Sequence, residues 1–198
     1  MRPCYRASLL PMKKASVTIR EATGDQEMAT ARRLFQDYAA WLGIDLGFQS
    51  FDEELATLPR PYAAPSGLIL LAEREGLAIG CVALRKIADA VGEVKRLYVS
   101  PRYQGGGIGK RLMESVIVEA KERRYARIML DTLPKMTAAQ RLYRSLGFKT
   151  IAPYYSSPIT GTTYMELSLG AWDNRRQCAV PAVGAWCRQT RTRTRKDE

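Results

Sequence analysis

Histidine is absent from all 198 residues of the sequence. Without an imidazole, the chain cannot form a Ser-His-Asp or Cys-His catalytic centre or a metal site with histidine ligands. A zinc site with four thiolates would have to bring Cys81 together with three cysteines near the two ends of the chain. We therefore expect no metal, and any proton transfer must use carboxylates, tyrosines or ordered water.

Long apolar runs are also missing, because no stretch approaches the roughly 20 apolar residues of a membrane-spanning helix. Residues 1–14 include only the short apolar run 7–10, which is too little for a secretory signal peptide. The four cysteines are not spaced like the disulfide framework of a small secreted domain. These features predict a cytoplasmic protein that does not use a membrane as a partner.

Acidic residues are scarce at both ends of the chain. The basic residues there are therefore not balanced, and they account for most of the net charge of +11. Residues 1–14 contribute a charge of +4, residues 15–169 contribute +3 and residues 170–198 contribute +4. Basic tails are commonly solvated. We therefore predict one domain, 15–169, between a basic N-terminal extension, 1–14, and a disordered basic C-terminal tail, 170–198. A nucleic-acid partner is not expected, although nucleic-acid binding through the arginine-rich tail is one alternative.

What the sequence does contain is a regular succession of apolar patterns. Alternating or continuous apolar runs predict strands, and apolar residues at three- and four-residue spacing predict helices. The predicted strands cover residues 16–20, 67–73, 77–86, 93–99, 127–131, 149–152 and 162–169. The predicted helices begin near residues 25, 51, 108 and 137.

The ends of the helices carry signals of their own. Thr23 or Asp25 is predicted to cap the first helix, and Thr137 the last one. Gly43 and Gly147 are predicted to end these two helices in the left-handed conformation. The order β-α-α-β-β-β-α-β-α-β-β predicts an α/β fold, a mixed sheet with helices on both faces.

The most informative local feature is a glycine-rich turn at residues 104–110, which reads Gln-Gly-Gly-Gly-Ile-Gly-Lys. Glycine allows positive φ angles and lets a ligand approach the backbone closely. The turn opens a helix, and free N–H groups at a helix N-terminus favour an anion. The pattern predicts a cradle for a phosphate or pyrophosphate, and the alternative is a connector without a ligand.

The spacing of the turn does not fit two common phosphate-binding motifs. A mononucleotide P-loop would need glycine at Gln104 and a hydroxyl side chain at Arg111. The dinucleotide pattern G-x-G-x-x-G would need its last glycine at Lys110 or Leu112. Both patterns therefore fail.

The turn does match the Gln/Arg-x-x-Gly-x-Gly/Ala signature of the GNAT acetyltransferases, as Gln104-x-x-Gly107-x-Gly109. Residues 97–101 resemble the strand that precedes this signature in the family, and residues 139–148 resemble its second conserved motif. The resemblance implies a GNAT-like acyl-CoA N-acyltransferase fold. It also implies transfer of the acetyl group of acetyl-CoA to a primary amine of a small molecule, amino acid or peptide, by direct attack in a ternary complex.

The resemblance implies a set of cofactor-binding residues. In the family, two parallel strands separate near the glycine turn, and acetyl-CoA binds between them. The backbone of Leu97, Tyr98 and Val99 would then bind the pantetheine arm and the acetyl carbonyl. The residues that would hold the pyrophosphate are Gln104, Gly105, Gly106, Gly107, Ile108, Gly109 and Lys110. Met136 departs from the pattern, because many members have an asparagine there that contacts the cofactor.

The resemblance also implies catalytic residues. Tyr143 matches the tyrosine that protonates the leaving thiolate in many members, and the alternative is a core aromatic residue. Glu93 lies six residues before Val99, as does the general base of the histone-acetylating branch. The alternative interpretation of Glu93 is a carboxylate at a strand end that is paired with a neighbouring lysine or arginine. Asp131 is a second candidate, as a base or as a contact of the amine.

Candidate contacts of the acceptor are less specific. Tyr154, Tyr155 and Tyr164 could line its site together with Asp131, or could simply pack against one another. Basic residues at positions 85, 95 and 96 could bind a carboxylate of an amino-acid-like amine, or could be surface charges. The alternative function is a non-catalytic module of the same fold that binds acyl-CoA for regulation. The sequence leaves the oligomeric state open, and a homodimer is one alternative.

Overall fold

The structure, a computed structural model, describes residues 16–170. The predicted basic extension at 1–14 and the predicted tail beyond residue 170 lie outside the described residues. Within residues 16–170, no helix has the length and apolar character needed to cross a bilayer.

All seven predicted strands and all four predicted helices are present in the predicted order. The strands are β1 Val17–Glu21, β2 Leu68–Arg74, β3 Leu77–Ala88, β4 Val91–Val99, β5 Arg127–Thr132, β6 Lys149–Ile151 and β7 Thr163–Ser168. The helices are α1 Asp25–Leu42, α2 Phe51–Ala56, α3 Ile108–Glu122 and α4 Thr137–Ser145. Short 3-10 turns lie at Gly47–Gln49, Arg60–Tyr62 and Pro101–Tyr103.

The predicted helix caps are wrong, although the predicted helix ends are confirmed. At the start of α1, the Glu27 carboxylate accepts N–H bonds from Thr23 at 3.2 Å and Gly24 at 2.7 Å. No side chain caps α4, whose Gln140 amide instead donates to the Leu133 carbonyl at 3.0 Å. The glycines at 43 and 147 have positive φ angles of 60° and 92°, as the left-handed ends require.

The sheet is mixed, and its single parallel pair diverges within the domain. Its strand order is β1-β2-β3-β4-β5-β7-β6, and every neighbouring pair is antiparallel except β4 and β5. Residues 91–93 of β4 pair with residues 127–129 of β5, and the ladder between these two strands stops there. The carboxyl halves of β4 and β5 therefore separate and leave a gap in the middle of the sheet.

Helices cover both faces of the sheet, as predicted. Leu112, Met113 and Val116 of α3 are fully buried in the cluster that packs on one face. Leu34 and Phe35 of α1 lie in the cluster on the other face. Apolar residues at three- and four-residue spacing place one stripe of each helix against the sheet.

A β-bulge interrupts β4 beside the gap. Cys81 pairs with Tyr98 but Ala83 pairs with Lys95, so β4 contains one residue more than β3 at this point. The bulge includes Arg96, which has a positive φ angle of 58°. A bulge breaks the alternation of side chains along a strand. Lys95 and Arg96 consequently line the same cavity although they are consecutive residues.

Replacing Gly80 by alanine should destabilise the fold by about 1–3 kcal/mol. A Cβ atom at this position in β3 would lie 2.7 Å from the carbonyl oxygen of Tyr98, so the bulged strand would have to move. The free energy of unfolding from urea denaturation measures the effect. Gly106→Ala is the control, because the nearest atom to its Cβ would lie at an ordinary 3.8 Å. Equal stabilities of the two variants would contradict the prediction.

Candidate functional site

The gap between β4 and β5 opens into a cleft of about 420 Å³. Its walls are the end of β4, the glycine turn and the first turns of α3 and α4. Nine of the ten predicted cofactor-binding residues line this cleft, all except Gly106: Leu97, Tyr98, Val99, Gln104, Gly105, Gly107, Ile108, Gly109 and Lys110. The structure therefore brings the glycine turn and the end of β4 together around one concavity.

The glycine turn presents its backbone to this cleft. Gly105 and Gly107 have positive φ angles of 81° and 77°, which other residues adopt only with strain. A Cβ atom at either position would have no atom within 4 Å, so these glycines are not required by packing. The Gln104 side chain donates to the Val99 carbonyl at 2.8 Å and ties the turn to the end of β4. Because α3 begins at Ile108, its first N–H groups are available for an anion.

A second, smaller cavity of about 30 Å³ adjoins the gap. Leu97 and Met136 line both this cavity and the cleft, so the two spaces meet at these residues. The polar side chains around the small cavity are Tyr38, Gln49, Lys95, Arg96, Asp131 and Tyr143. Two predicted site residues, Tyr143 and Asp131, are thus brought together, whereas Glu93 lies outside the lining of both spaces.

Tyr143 projects from α4 and is only 4% exposed. Its ring packs at 5.8 Å from that of Phe148, as a core aromatic residue would. Burial raises the pKa of the Tyr143 phenol well above its ordinary value near 10. The hydroxyl group therefore stays protonated across the neutral range, and it lies in the wall of the cavity that adjoins Leu97 and Met136.

Glu93 is a buried strand carboxylate with two partners. Its Oε2 accepts bonds from Arg85 Nε at 2.7 Å and Nη2 at 2.6 Å, and its Oε1 accepts the Tyr154 hydroxyl at 2.9 Å. Burial tends to lower the pKa of Arg85, but the charge and hydrogen bond of Glu93 outweigh it and raise that pKa. The pairing corresponds to the alternative that the sequence left open for this residue.

Arg96 forms the most buried ion pair of the site. Its Nε and Nη2 atoms donate to Glu54 Oε1 and Oε2 at 2.9 and 2.5 Å, and Tyr62 donates to Glu54 Oε1 at 2.7 Å. Arg96 and Glu54 are only 4% and 5% exposed. Burial alone would raise the pKa of Glu54, but the hydrogen bonds and charge of Arg96 lower it. Both groups are therefore charged at neutral pH.

Lys95 connects this pair to β5. Its ammonium group donates to Gln49 Oε1 at 3.0 Å and to Asp131 Oδ1 at 3.3 Å. Arg96 Nη1 shares the same Gln49 oxygen at 3.0 Å. The basic residues at positions 85, 95 and 96 are thus buried or half-buried members of ion pairs rather than free surface charges.

The three predicted acceptor tyrosines form one cluster above β5. The rings of Tyr154, Tyr155 and Tyr164 meet edge to face at centroid distances of 5.2–5.4 Å. The Tyr164 hydroxyl donates to the Tyr155 carbonyl at 3.0 Å, and Gln49 Nε2 lies 3.5 Å from the Tyr155 hydroxyl. Burial and the neighbouring charge of Asp131 raise the pKa of Tyr155. Mutual packing accounts for most of these contacts.

Comparison with known proteins identifies the family. The model of the acetyltransferase (GNAT) family matches residues 30–148. This chain belongs to the GNAT acetyltransferase family. An uncharacterized N-acetyltransferase of Schizosaccharomyces pombe is 39% identical over 160 residues, covering 80% of this chain and 98% of that protein. The family predicted from the glycine turn is therefore confirmed.

Solved GNAT structures have the same fold. An acetyltransferase of the GNAT family from Staphylococcus aureus superposes with a TM-score of 0.66 at 21% identity, covering 78% of this chain and 99% of that one. The protein yncA of Salmonella typhimurium, solved with its cofactor acetyl-CoA, superposes with a TM-score of 0.61 at 22% identity. The match covers 86% of this chain and 100% of that one. The predicted mixed-sheet GNAT fold is thereby confirmed.

Several cleft residues of this GNAT chain were not predicted as site residues from the sequence, and Trp41 and Lys135 are the two with large polar or aromatic side chains at its edge near α1. Trp41, near the end of α1, is 46% exposed and lines the cleft. Lys135 precedes α4, lines the cleft and donates to the carbonyl of Leu42, which joins α4 to α1 at the edge of the cleft. No local pattern marks either residue, because Trp41 reaches the cleft through the packing of α1 and Lys135 through its contact with the end of α1.

Among residues 16–170, no three Cys, Asp or Glu side chains are placed to hold a metal ion. The acidic side chains of the site are instead paired with arginine, lysine or tyrosine.

Proposed function

We propose that this GNAT family member is an acetyl-CoA-dependent N-acetyltransferase that acetylates a primary amine. The observation that carries the proposal is the meeting of the cleft and the small polar cavity at Leu97 and Met136. A thioester held in the cleft and an amine held in the cavity would be neighbours at this point. Holding two reactants in contact removes much of the entropic cost of a bimolecular reaction.

The residues at the glycine turn fit the pyrophosphate of coenzyme A. The N–H groups from Gly105 to Gly109 and the Lys110 ammonium would bind the negative charge at the N-terminus of α3. The open space at Gly105 and Gly107 allows this close approach. The backbone at 97–99, beside the bulge, would bind the pantetheine arm. Acetyl-CoA bound in yncA of Salmonella typhimurium supports this use of the fold.

Two proton transfers accompany the reaction, in which a C–N bond forms and the C–S bond breaks. Tyr143 would donate a proton to the departing sulfur, since its raised pKa keeps the phenol protonated. The amine must lose a proton to a base. Asp131 lines the cavity, whereas Glu93 does not and is bound by Arg85 and Tyr154, so Asp131 is the nearer candidate.

The pairing of Glu93 with Arg85 and of Asp131 with Lys95 favours a second candidate function. Both carboxylates are already engaged by a cation, and an arrangement without a free carboxylate suits a non-catalytic module that binds acyl-CoA. Both candidate functions use the cleft to bind the CoA ester, but only the N-acetyltransferase would release free thiol. A screen of amines, amino acids and peptides with acetyl-CoA, followed by free thiol release, separates them.

Replacing Gly107 by leucine should weaken coenzyme A binding by at least about 10-fold. The side chain would keep the pyrophosphate away from the backbone N–H groups, and each charge-assisted hydrogen bond lost in this way costs about 1.5–3 kcal/mol. The leucine side chain would enter the open space that faces the glycine turn. Isothermal titration calorimetry with coenzyme A measures the change.

Gly76→Leu is the matched control for this variant. Gly76 lies in the β2–β3 hairpin with a φ angle of 78°, almost equal to the 77° of Gly107, and a Cβ there also meets no atom within 4 Å. Both variants carry the same backbone strain, so only a loss of affinity specific to Gly107 supports the cradle. Unchanged affinity in Gly107→Leu would argue against it.

A further inference from the structure

The charged side chains in the lining of the small cavity and directly behind it already balance one another. Arg96 is paired with Glu54, and Lys95 is paired with Asp131 at 3.3 Å. All four side chains are nearly buried, with exposed fractions between 2% and 11%. Burial of an additional unpaired charge at such a place is costly. An acceptor group that enters this cavity should therefore carry no net charge.

The two cations retain hydrogen-bond donors that their partners do not use. Within residues 16–170, the Lys95 ammonium donates two bonds, to Gln49 and Asp131, out of its three N–H groups. The Arg96 guanidinium donates three bonds, two to Glu54 and one to Gln49, out of its five. The β4 bulge brings both side chains to the same cavity. Two cations with unused donors in the lining of one cavity are the chemistry that recognition of a carboxylate requires.

We propose that the acceptor is a free α-amino acid, whose carboxylate binds to Lys95 and Arg96 and whose amine lies beside Asp131. This inference rests on the proposed N-acetyltransferase function. A zwitterion adds no net charge to the balanced cavity. Its amine would lie near Leu97 and Met136, where the cavity meets the cleft.

Amines without a carboxylate fit this cavity less well. A simple alkylamine or a polyamine enters as a cation, and it would compete with Lys95 for Asp131 and be repelled by Arg96. A peptide N-terminus carries a neutral amide in place of the carboxylate, so its ammonium group would add an unbalanced positive charge to the cavity. Charge-assisted hydrogen bonds are roughly twice as strong as neutral ones. The cavity therefore distinguishes a free amino acid from its carboxamide.

The experiment compares the twenty free amino acids with their carboxamides as acceptors, using thiol release from acetyl-CoA by the full chain. We expect the best free amino acid to exceed its carboxamide by about 30-fold in kcat/KM. This ratio corresponds to the contribution of one hydrogen bond to a charged group. In Lys95→Met this preference should fall to near unity, mainly through KM for the acid. Lys95→Arg should retain it.

Lys86→Met is the control, because Lys86 is an exposed β3 residue paired with Asp89. It should keep the full preference for the acid. If Lys95→Met fails to fold, the comparison of acid with carboxamide by the wild-type chain still decides the question. Equal or faster turnover of the carboxamides, or of simple amines, would overturn the amino-acid assignment and leave the N-acetyltransferase function intact. Binding of coenzyme A without turnover of any amine would overturn both.

Discussion

Tyr143→Phe should lower kcat by about 100- to 1000-fold, which lies within the contribution of about 10²- to 10⁴-fold from a single general acid or base. The substitution removes only the hydroxyl group, so the ring keeps its contact with Phe148. Because Tyr143 lines the small cavity rather than the cleft, the dissociation constant of coenzyme A should change little. Steady-state kinetics and calorimetry on the same variant measure the two quantities. Because its pKa is raised, ionisation of Tyr143 should not limit the rate between pH 7 and pH 9.

Tyr125→Phe provides the matched control for this variant. Tyr125 is buried to a similar degree, 5% exposed against 4%, and its hydroxyl donates to the Ser66 carbonyl at 2.6 Å. Loss of that bond should cost about 1 kcal/mol of stability and leave kcat unchanged. If Tyr143→Phe kept the wild-type kcat with a good acceptor, the tyrosine would be a packing residue and another group would protonate the thiolate.

Glu54→Gln should destabilise the protein by about 3–5 kcal/mol, which is the expected result of breaking one side of a buried ion pair. The amide is close in shape to the carboxylate, but it leaves the Arg96 guanidinium charged and without a counter-ion in the interior. Urea denaturation at pH 7 measures the loss. Asp37→Asn breaks the exposed pair with Arg33 and should cost less than about 1 kcal/mol. Similar losses in both variants would show that burial of the Glu54 pair is unimportant.

The contribution of Glu54 to the free energy of unfolding should also depend on pH, and it should decrease in acid. Its folded-state pKa lies below the value of about 4.3 for an unfolded glutamate. The stabilisation from this group is therefore complete above that value and is lost as the pH falls through the folded-state pKa. The difference in unfolding free energy between the wild type and Glu54→Gln should shrink as the pH falls below about 4. A difference independent of pH would exclude the Glu54 carboxylate as its source.

The sequence predicts the elements of this fold because their signals are local. Apolar spacing marks α3, and the left-handed ends at Gly43 and Gly147 need only the residue type. The glycine turn is equally local, since the positions of Gly107 and Gly109 distinguish it from other phosphate-binding motifs. Strand ends shift by about two residues, as at the start of β4, because pairing with neighbours rather than composition sets them.

The charge pairs of the site could not be predicted, because they join distant parts of the chain. Glu54 and Arg96 are 42 residues apart, and they meet only because α2 packs beside the bulged part of β4. The bulge itself has no sequence signal, since it places an arginine rather than a glycine at a positive φ angle. Sequence reasoning names Glu93, Asp131 and the basic residues at positions 85, 95 and 96 as candidates, but it misses Glu54 and does not show which carboxylate pairs with each cation.

The bulge in β4 makes the placement of two neighbouring cations depend on the length of this strand. Deleting one residue there would restore regular alternation and turn one of the two neighbouring cations away from the cavity. Substitutions at positions 95 and 96 change only the charge and size of the side chains. If the proposed acceptor site is correct, exchange of the residues at positions 95 and 96 would change acceptor preference, whereas a one-residue deletion would remove one of the two cations from the cavity altogether.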